Sequence, residues 1–140
     1  MIASELMTPD PVTVTPQASI ADVWDLMRDL DIRHVPVLDR GTLVGMVSDR
    51  DIAHLDLTAV LTRDGAATLR DELATPVVRV MSADVIAVET ESELEDAIAL
   101  LIEHKVGALP VVRPDTRELA GILSYIDVLR AYQASLADAE

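Results

Sequence analysis

The chain has no cysteine, no phenylalanine, one tryptophan, two tyrosines and only 11 basic residues against 25 acidic ones. Without cysteine, disulfides, thiolate catalysis and cysteine-based zinc sites are excluded. With so few aromatics the core must be aliphatic. Hydrophobic residues make up 50% of the chain, which is enough to build one. The formal net charge of −14 repels DNA, RNA and anionic membranes at long range and favours solubility. An anionic ligand would need a local cluster of donors working against that field. No stretch approaches the roughly 20 consecutive apolar residues of a membrane span. The opening MIASELMTPD also lacks the basic start and apolar run of a signal peptide. The expectation is a soluble, cytoplasmic protein of 140 residues, one domain or two half-size units sharing a core.

Catalytic signatures are missing too. There is no G-x-S-x-G, no H-E-x-x-H and no P-loop. His34, His54 and His104 are scattered, with no pair at ligand spacing such as i, i+4, so neither an active site nor a resident metal is expected. The abundant carboxylates read as solvated helix faces.

What the chain does contain is a repeat. GMVSDRDI at 45–52 and GILSYIDV at 121–128 share one pattern: glycine, two apolar residues, serine, two variable residues, aspartate and a β-branched residue. Sliding the sequence by 74 positions lays residues 7–38 on 81–112, matching Met7 with Met81, Val14 with Val88, Leu26 with Leu100 and Pro36 with Pro110. A two-residue insertion then changes the offset to 76, and Gly45, Ser48 and Asp51 fall on Gly121, Ser124 and Asp127. The chain is a tandem duplication.

Each copy reads as β-α-β-β-α, an α+β unit. PVTVT and VIAVE alternate like short strands. Ile20, Val23, Trp24 and Met27 lie on one helical face, as do Leu94, Ala97, Ile98 and Leu101 in the second copy. Ser19 with Asp22 and Ser92 with Glu95 are expected helix starts. HVPVL and ALPVV are apolar strands whose prolines suit an edge or an irregular strand end. A helical crossover makes the first strand pair parallel, and a tight turn makes the second antiparallel. The expected boundaries are 2–60 for repeat 1, 61–74 for a helical connector and 75–136 for repeat 2, with a frayed ADAE end.

RHVPV and GALPV ahead of two in-register G-h-h-S-x-x-D phrases (h apolar) resemble a tandem pair of CBS domains, the cystathionine-β-synthase-like regulatory repeat. The resemblance implies two pseudo-symmetric repeats packed through their sheets into one stand-alone module, with two clefts at the repeat interface. It implies adenosine ligands (AMP, ADP, ATP or S-adenosylmethionine), with magnesium accompanying phosphates and no firm cofactor. It also implies a homodimer of modules and a separate, unidentified protein target. Carried over by position, one cleft would combine Ser124 and Asp127 with Val12, Ile32, Arg33 and His34. The other would combine Ser48, Arg50 and Asp51 with Ile86, Val106, Gly107 and Ala108.

The residues themselves support two readings of Ser-x-x-Asp. The serine oxygen can accept from an orphan N–H, which is ordinary helix capping. A strand running straight into a helix also exposes N–H groups to an anion, and a carboxylate one turn in can accept ribose hydroxyls. Only Arg33 and His34 put cations on the segment before a proline strand, since the second copy has Gly107 and Ala108 there. The resulting expectation is a regulatory nucleotide binder with tighter phosphate binding at the Arg33/His34 site. The rival is a ligand-free dimerisation or docking protein, with Trp24 and Tyr132 on faces assigned to the core or to a module interface.

Overall fold

The computed structural model describes residues 1–53 and 65–139. The expectations for His54, for the end of the first copy and for 61–64 lie outside the described residues. The chain forms two compact units, Val12–Asp84 and Met1–Pro11 with Val85–Glu140.

In the Val12–Asp84 unit, Val14 makes a parallel bridge to Val37. Helix α2 (Ile20–Leu30) begins where Ser19 Oγ accepts from the Asp22 N–H at 3.1 Å, and stops at Asp31 in the left-handed region, φ 53°. Strands β2 (His34–Asp39) and β3 (Thr42–Ser48) form an antiparallel hairpin. Its two-residue turn has Arg40 at φ 52° and Gly41 at φ 82°, the conformation that matches strand twist. The short helix α3 (Asp49–Ala53) follows, and α4 (Gly65–Leu73) supplies part of the expected connector. Ile20, Val23, Met27, Val35, Val37, Val47, Ile52 and Val77 make an aliphatic core.

The other unit repeats this plan. Its elements are β4 (Val88–Glu89), α5 (Leu94–His104), β5 (Ala108–Val112), β6 (Leu119–Ser124) and α6 (Tyr125–Asp138). Helix α5 ends at Lys105 with φ 54°, the counterpart of Asp31. At the N-terminus lie α1 (Ala3–Leu6) and β1 (Thr8–Pro9), which gives the sheet order β1-β6-β5-β4. The parallel β4–β5 pair and the antiparallel β5–β6 pair follow the sequence reading. Ala3, Val88, Ala97, Leu101, Leu109, Val111 and Leu123 form its core.

The compact units are not the contiguous copies. Segment 1–11, which leads the first copy, completes the hairpin of the second: Thr8 pairs with Ile122, and Ala3 N–H donates to the Ser92 carbonyl at 2.9 Å. Segment 75–84, which leads the second copy, does the same for the first. Val77 N–H donates to the Ala18 carbonyl at 2.8 Å, and Ser82 and Met46 exchange N–H to carbonyl bonds at 2.9 and 3.1 Å. The outer edge of each hairpin carries unpaired backbone groups that need such a cover.

This cover explains the glycine that opens each repeated phrase. A Cβ on Gly45 would run into the Met81 side chain, and one on Gly121 would meet the Met7 side chain and lie 2.7 Å from the Thr8 carbonyl oxygen. A thioether can swing aside, but a ladder carbonyl cannot. Gly121→Ala should therefore cost about 1–3 kcal/mol, and Gly45→Ala clearly less. Thermal melts of the two variants check this, and equal melting temperatures would contradict it.

Several expectations are corrected. Trp24 and Tyr132 are exposed, although Ile20, Val23 and Met27 on the Trp24 helix are buried. Ser92 does not start α5. Its Oγ accepts from Glu89 N–H at 3.0 Å, and Glu93 occupies the N-cap. Helix α6 continues to Asp138 instead of fraying at ADAE. Pro36 and Pro110 lie within buried strands that have neighbours on both sides, away from any edge. Asp49 N–H bonds the Arg33 carbonyl, so alternation turns the Pro36 nitrogen toward the first strand. Bonding on that side begins only with Pro36's own carbonyl, which accepts from Val14 N–H at 3.1 Å. The missing proline donor leaves no gap in the ladder.

Candidate functional site

Each repeated phrase spans the junction where a strand runs directly into a helix. At the first, Ser48 N–H donates to Asp51 Oδ2 at 2.8 Å and Asp51 N–H donates to Ser48 Oγ at 3.2 Å. At the second, Ser124 N–H donates to Asp127 Oδ2 at 2.9 Å and Asp127 N–H to Ser124 Oγ at 3.2 Å, with the Ser124 hydroxyl also on Oδ2 at 3.0 Å. Both are reciprocal capping boxes, so the capping reading of the motif holds. It does not use up the acids. Among the described residues, Oδ1 of Asp51 and Oδ1 of Asp127 have no hydrogen-bond partner, and both side chains are half-buried.

The strand ladders decide what stands beside each junction. His34 is directly opposite Ser48, and Ala108 directly opposite Ser124. Asp49 N–H bonds the Arg33 carbonyl at 2.9 Å, and Tyr125 N–H bonds the Gly107 carbonyl at 3.0 Å. In an antiparallel ladder the His34–Ser48 pair is then the closer, non-hydrogen-bonded kind, with Cα atoms about 4.5 Å apart and side chains on one face. The structure thus gathers Arg33, His34, Ser48, Arg50 and Asp51 at one junction. It gathers Gly107, Ala108, Ser124 and Asp127 at the other. The resemblance instead implies sets drawn across copies.

The remaining expected residues divide by environment. Ile32 and Ile86 pack against the aliphatic cores of their own units. Val12 and Val106 are exposed, and Ala108 is buried. Asp49 was not singled out by the repeat, because Tyr125 stands at its place in the second copy. It nevertheless faces His34 electrostatically. Burial pushes the His34 imidazole below its ordinary value of 6.5, the Asp49 and Asp51 carboxylates pull it back up, and Arg33 and Arg50 push it down.

A pH effect follows. A histidine whose folded-state pKa is depressed favours the neutral form, so the unfolded chain binds its proton first as pH falls. The His34 contribution is complete above about pH 6.5 and is lost as pH drops from there through the folded value. Denaturant titrations at pH 7.5 and 5.5 should show a smaller acid loss in His34→Gln than in the parent. An identical loss in both would rule this out.

Among the described residues no cluster of three or more His, Cys, Asp or Glu could hold a metal, and no helix is long and apolar enough to cross a membrane.

Two like α+β repeats, each ending in a capped junction with an unused carboxylate oxygen, define a duplicated module with two equivalent candidate sites. A family model for the CBS domain matches residues 3–57 and 77–134. The CBS domain-containing protein YhcV of Bacillus subtilis (strain 168) is 35% identical over 124 residues, 89% of this chain and 80% of YhcV. The crystal structure of CBSX2 in complex with AMP matches at TM-score 0.77 and 32% identity, covering 95% of this chain and 96% of that one. Some relatives are longer: homoserine O-acetyltransferase of Methanocorpusculum labreanum is 31% identical over 125 residues, 89% of this chain but 23% of the enzyme. The chain belongs to the CBS-domain family, as a tandem pair of repeats.

Proposed function

We propose that this protein is a regulatory module, not a catalyst, that binds an adenosine nucleotide at its strand-to-helix junctions and signals to a separate partner. The observation that carries the reading is the half-buried aspartate of each capping box, with one carboxylate oxygen spent on the cap and the other without a partner among the described residues. A carboxylate oxygen so placed suits ribose hydroxyls. At the first junction Arg33 and Arg50 add planar forks matched to phosphate oxygens, and His34 adds a ring donor. AMP bound by the similar CBSX2 supports this ligand class, with ADP, ATP and S-adenosylmethionine sharing the adenosine part. Magnesium would arrive with the phosphates.

Binding regulates only if the partner prefers one state, loaded or empty. We also place a second copy of the chain on α6. Leu129, Tyr132 and Leu136 are 57%, 61% and 51% exposed at i, i+3, i+7 spacing, and residues 128–137 carry no acid in an otherwise acidic chain. Light scattering that gave a single-chain mass at micromolar concentration would remove this pairing.

Thermal unfolding with saturating AMP, ATP or S-adenosylmethionine tests the main reading. A ligand at 100 times its Kd adds about 2.7 kcal/mol, a rise of several degrees. Unchanged melting with all three would favour the ligand-free docking protein.

A further inference from the structure

The two junctions share their serine and aspartate but not their charge. Around Ser48 and Asp51 stand Arg33, His34, Asp49 and Arg50; the matching positions around Ser124 and Asp127 are Gly107, Ala108, Tyr125 and Ile126. Every titratable neighbour of the first junction is therefore replaced by an uncharged one in the second. Ala108 is directly opposite Ser124 and buried, while Tyr125 and Ile126 are exposed apolar side chains at the helix start. The nearest cations along the chain are Lys105 and Arg130, both exposed. Neither holds a ladder position next to Ser124.

A phosphate placed there would lack a paired donor and would meet a chain of net charge −14. The ribose acceptor remains. Asp127 keeps a half-buried carboxylate whose Oδ1 has no partner among the described residues. Resting on the adenosine reading above, we propose that the second junction selects an adenosine whose 5′ substituent carries no negative charge, and that phosphate-bearing nucleotides are confined to the first. The apolar Tyr125 and Ile126 suit an uncharged 5′ group, and the acidic surroundings would also tolerate a cationic one. The chain would then report the balance between two adenosine pools instead of one ligand counted twice.

Isothermal titration with AMP and with adenosine tests the division. In the parent protein AMP should fill one site per chain. AMP affinity should fall at least about tenfold in Asp51→Asn and stay unchanged in Asp127→Asn. Adenosine should show the reverse dependence. A gain-of-function variant guards against misfolding: Ile126→Arg gives the second junction the cation found at Arg50, and should raise AMP stoichiometry from one to two. AMP binding equally weakened by both asparagine variants, or an AMP stoichiometry of two in the parent, would overturn the division and leave the nucleotide reading standing. Failure of both ligands to bind the parent protein would overturn both.

Discussion

Arg33→Ala should weaken AMP binding by about 10- to 100-fold while leaving adenosine affinity unchanged. A hydrogen bond to a charged group contributes about 1.5–3 kcal/mol, and each 1.4 kcal/mol is a factor of ten in affinity. Arg33 belongs to the segment paired beside Ser48, its carbonyl accepting from Asp49 N–H, while its side chain is exposed. Truncating the side chain thus removes a guanidinium without disturbing the ladder. The net charge of −14 makes the loss larger than it would be in a neutral protein, because few other donors oppose the field. Calorimetric titration at fixed ionic strength is the measurement, since screening alters any phosphate contact. If AMP affinity were unchanged in Arg33→Ala, the phosphate is held elsewhere.

Removing residues 2–11 should lower the melting temperature by about 10 °C or more, corresponding to roughly 3–5 kcal/mol. A contiguous-copy protein would lose only a tail. Here the deletion takes Ala3 from a buried core and strand β1 from the outer edge of β6. It also takes the carbonyl that accepts from Leu94 N–H at 2.9 Å, just where α5 begins, and it uncovers Gly121 by removing Met7. Hydrogen exchange should report the loss in β5, β6 and α5 before it appears in β2 and β3. Unaltered melting would mean that the leading segment contributes nothing to the second repeat.

Much of this architecture is written in local pattern. Periodicity of two and of 3.6, turn residues such as Arg40-Gly41, and serine at a helix start act over a few residues, so each copy's β-α-β-β-α order can be read directly. The match between Ser48-x-x-Asp51 and Ser124-x-x-Asp127 likewise disclosed two equivalent junctions, and the geometry shows both as caps with a spare oxygen. The cations at 33, 34 and 50, absent at 107, 108 and 126, are legible once the copies are aligned.

Other features depend on partners that no local window contains. Trp24 occupies a core-type helical position yet stays exposed, because periodicity marks a face but not how much of it is covered. Ser92 has a capping residue's chemistry, but its hydroxyl oxygen accepts from Glu89 N–H, and the helix starts two residues later. Asp49 matters only because folding brings it against His34. Composition, duplication and motif spacing thus determined by themselves the repeat, its elements and the chemistry available at each junction. Tertiary structure decided that segment 1–11 completes the second repeat and segment 75–84 the first, and that each proline strand stands beside the junction of its own copy. The physical reason is that backbone hydrogen bonds carry no side-chain signature: Thr8 and Ile122 pair across more than a hundred residues through groups that every residue possesses.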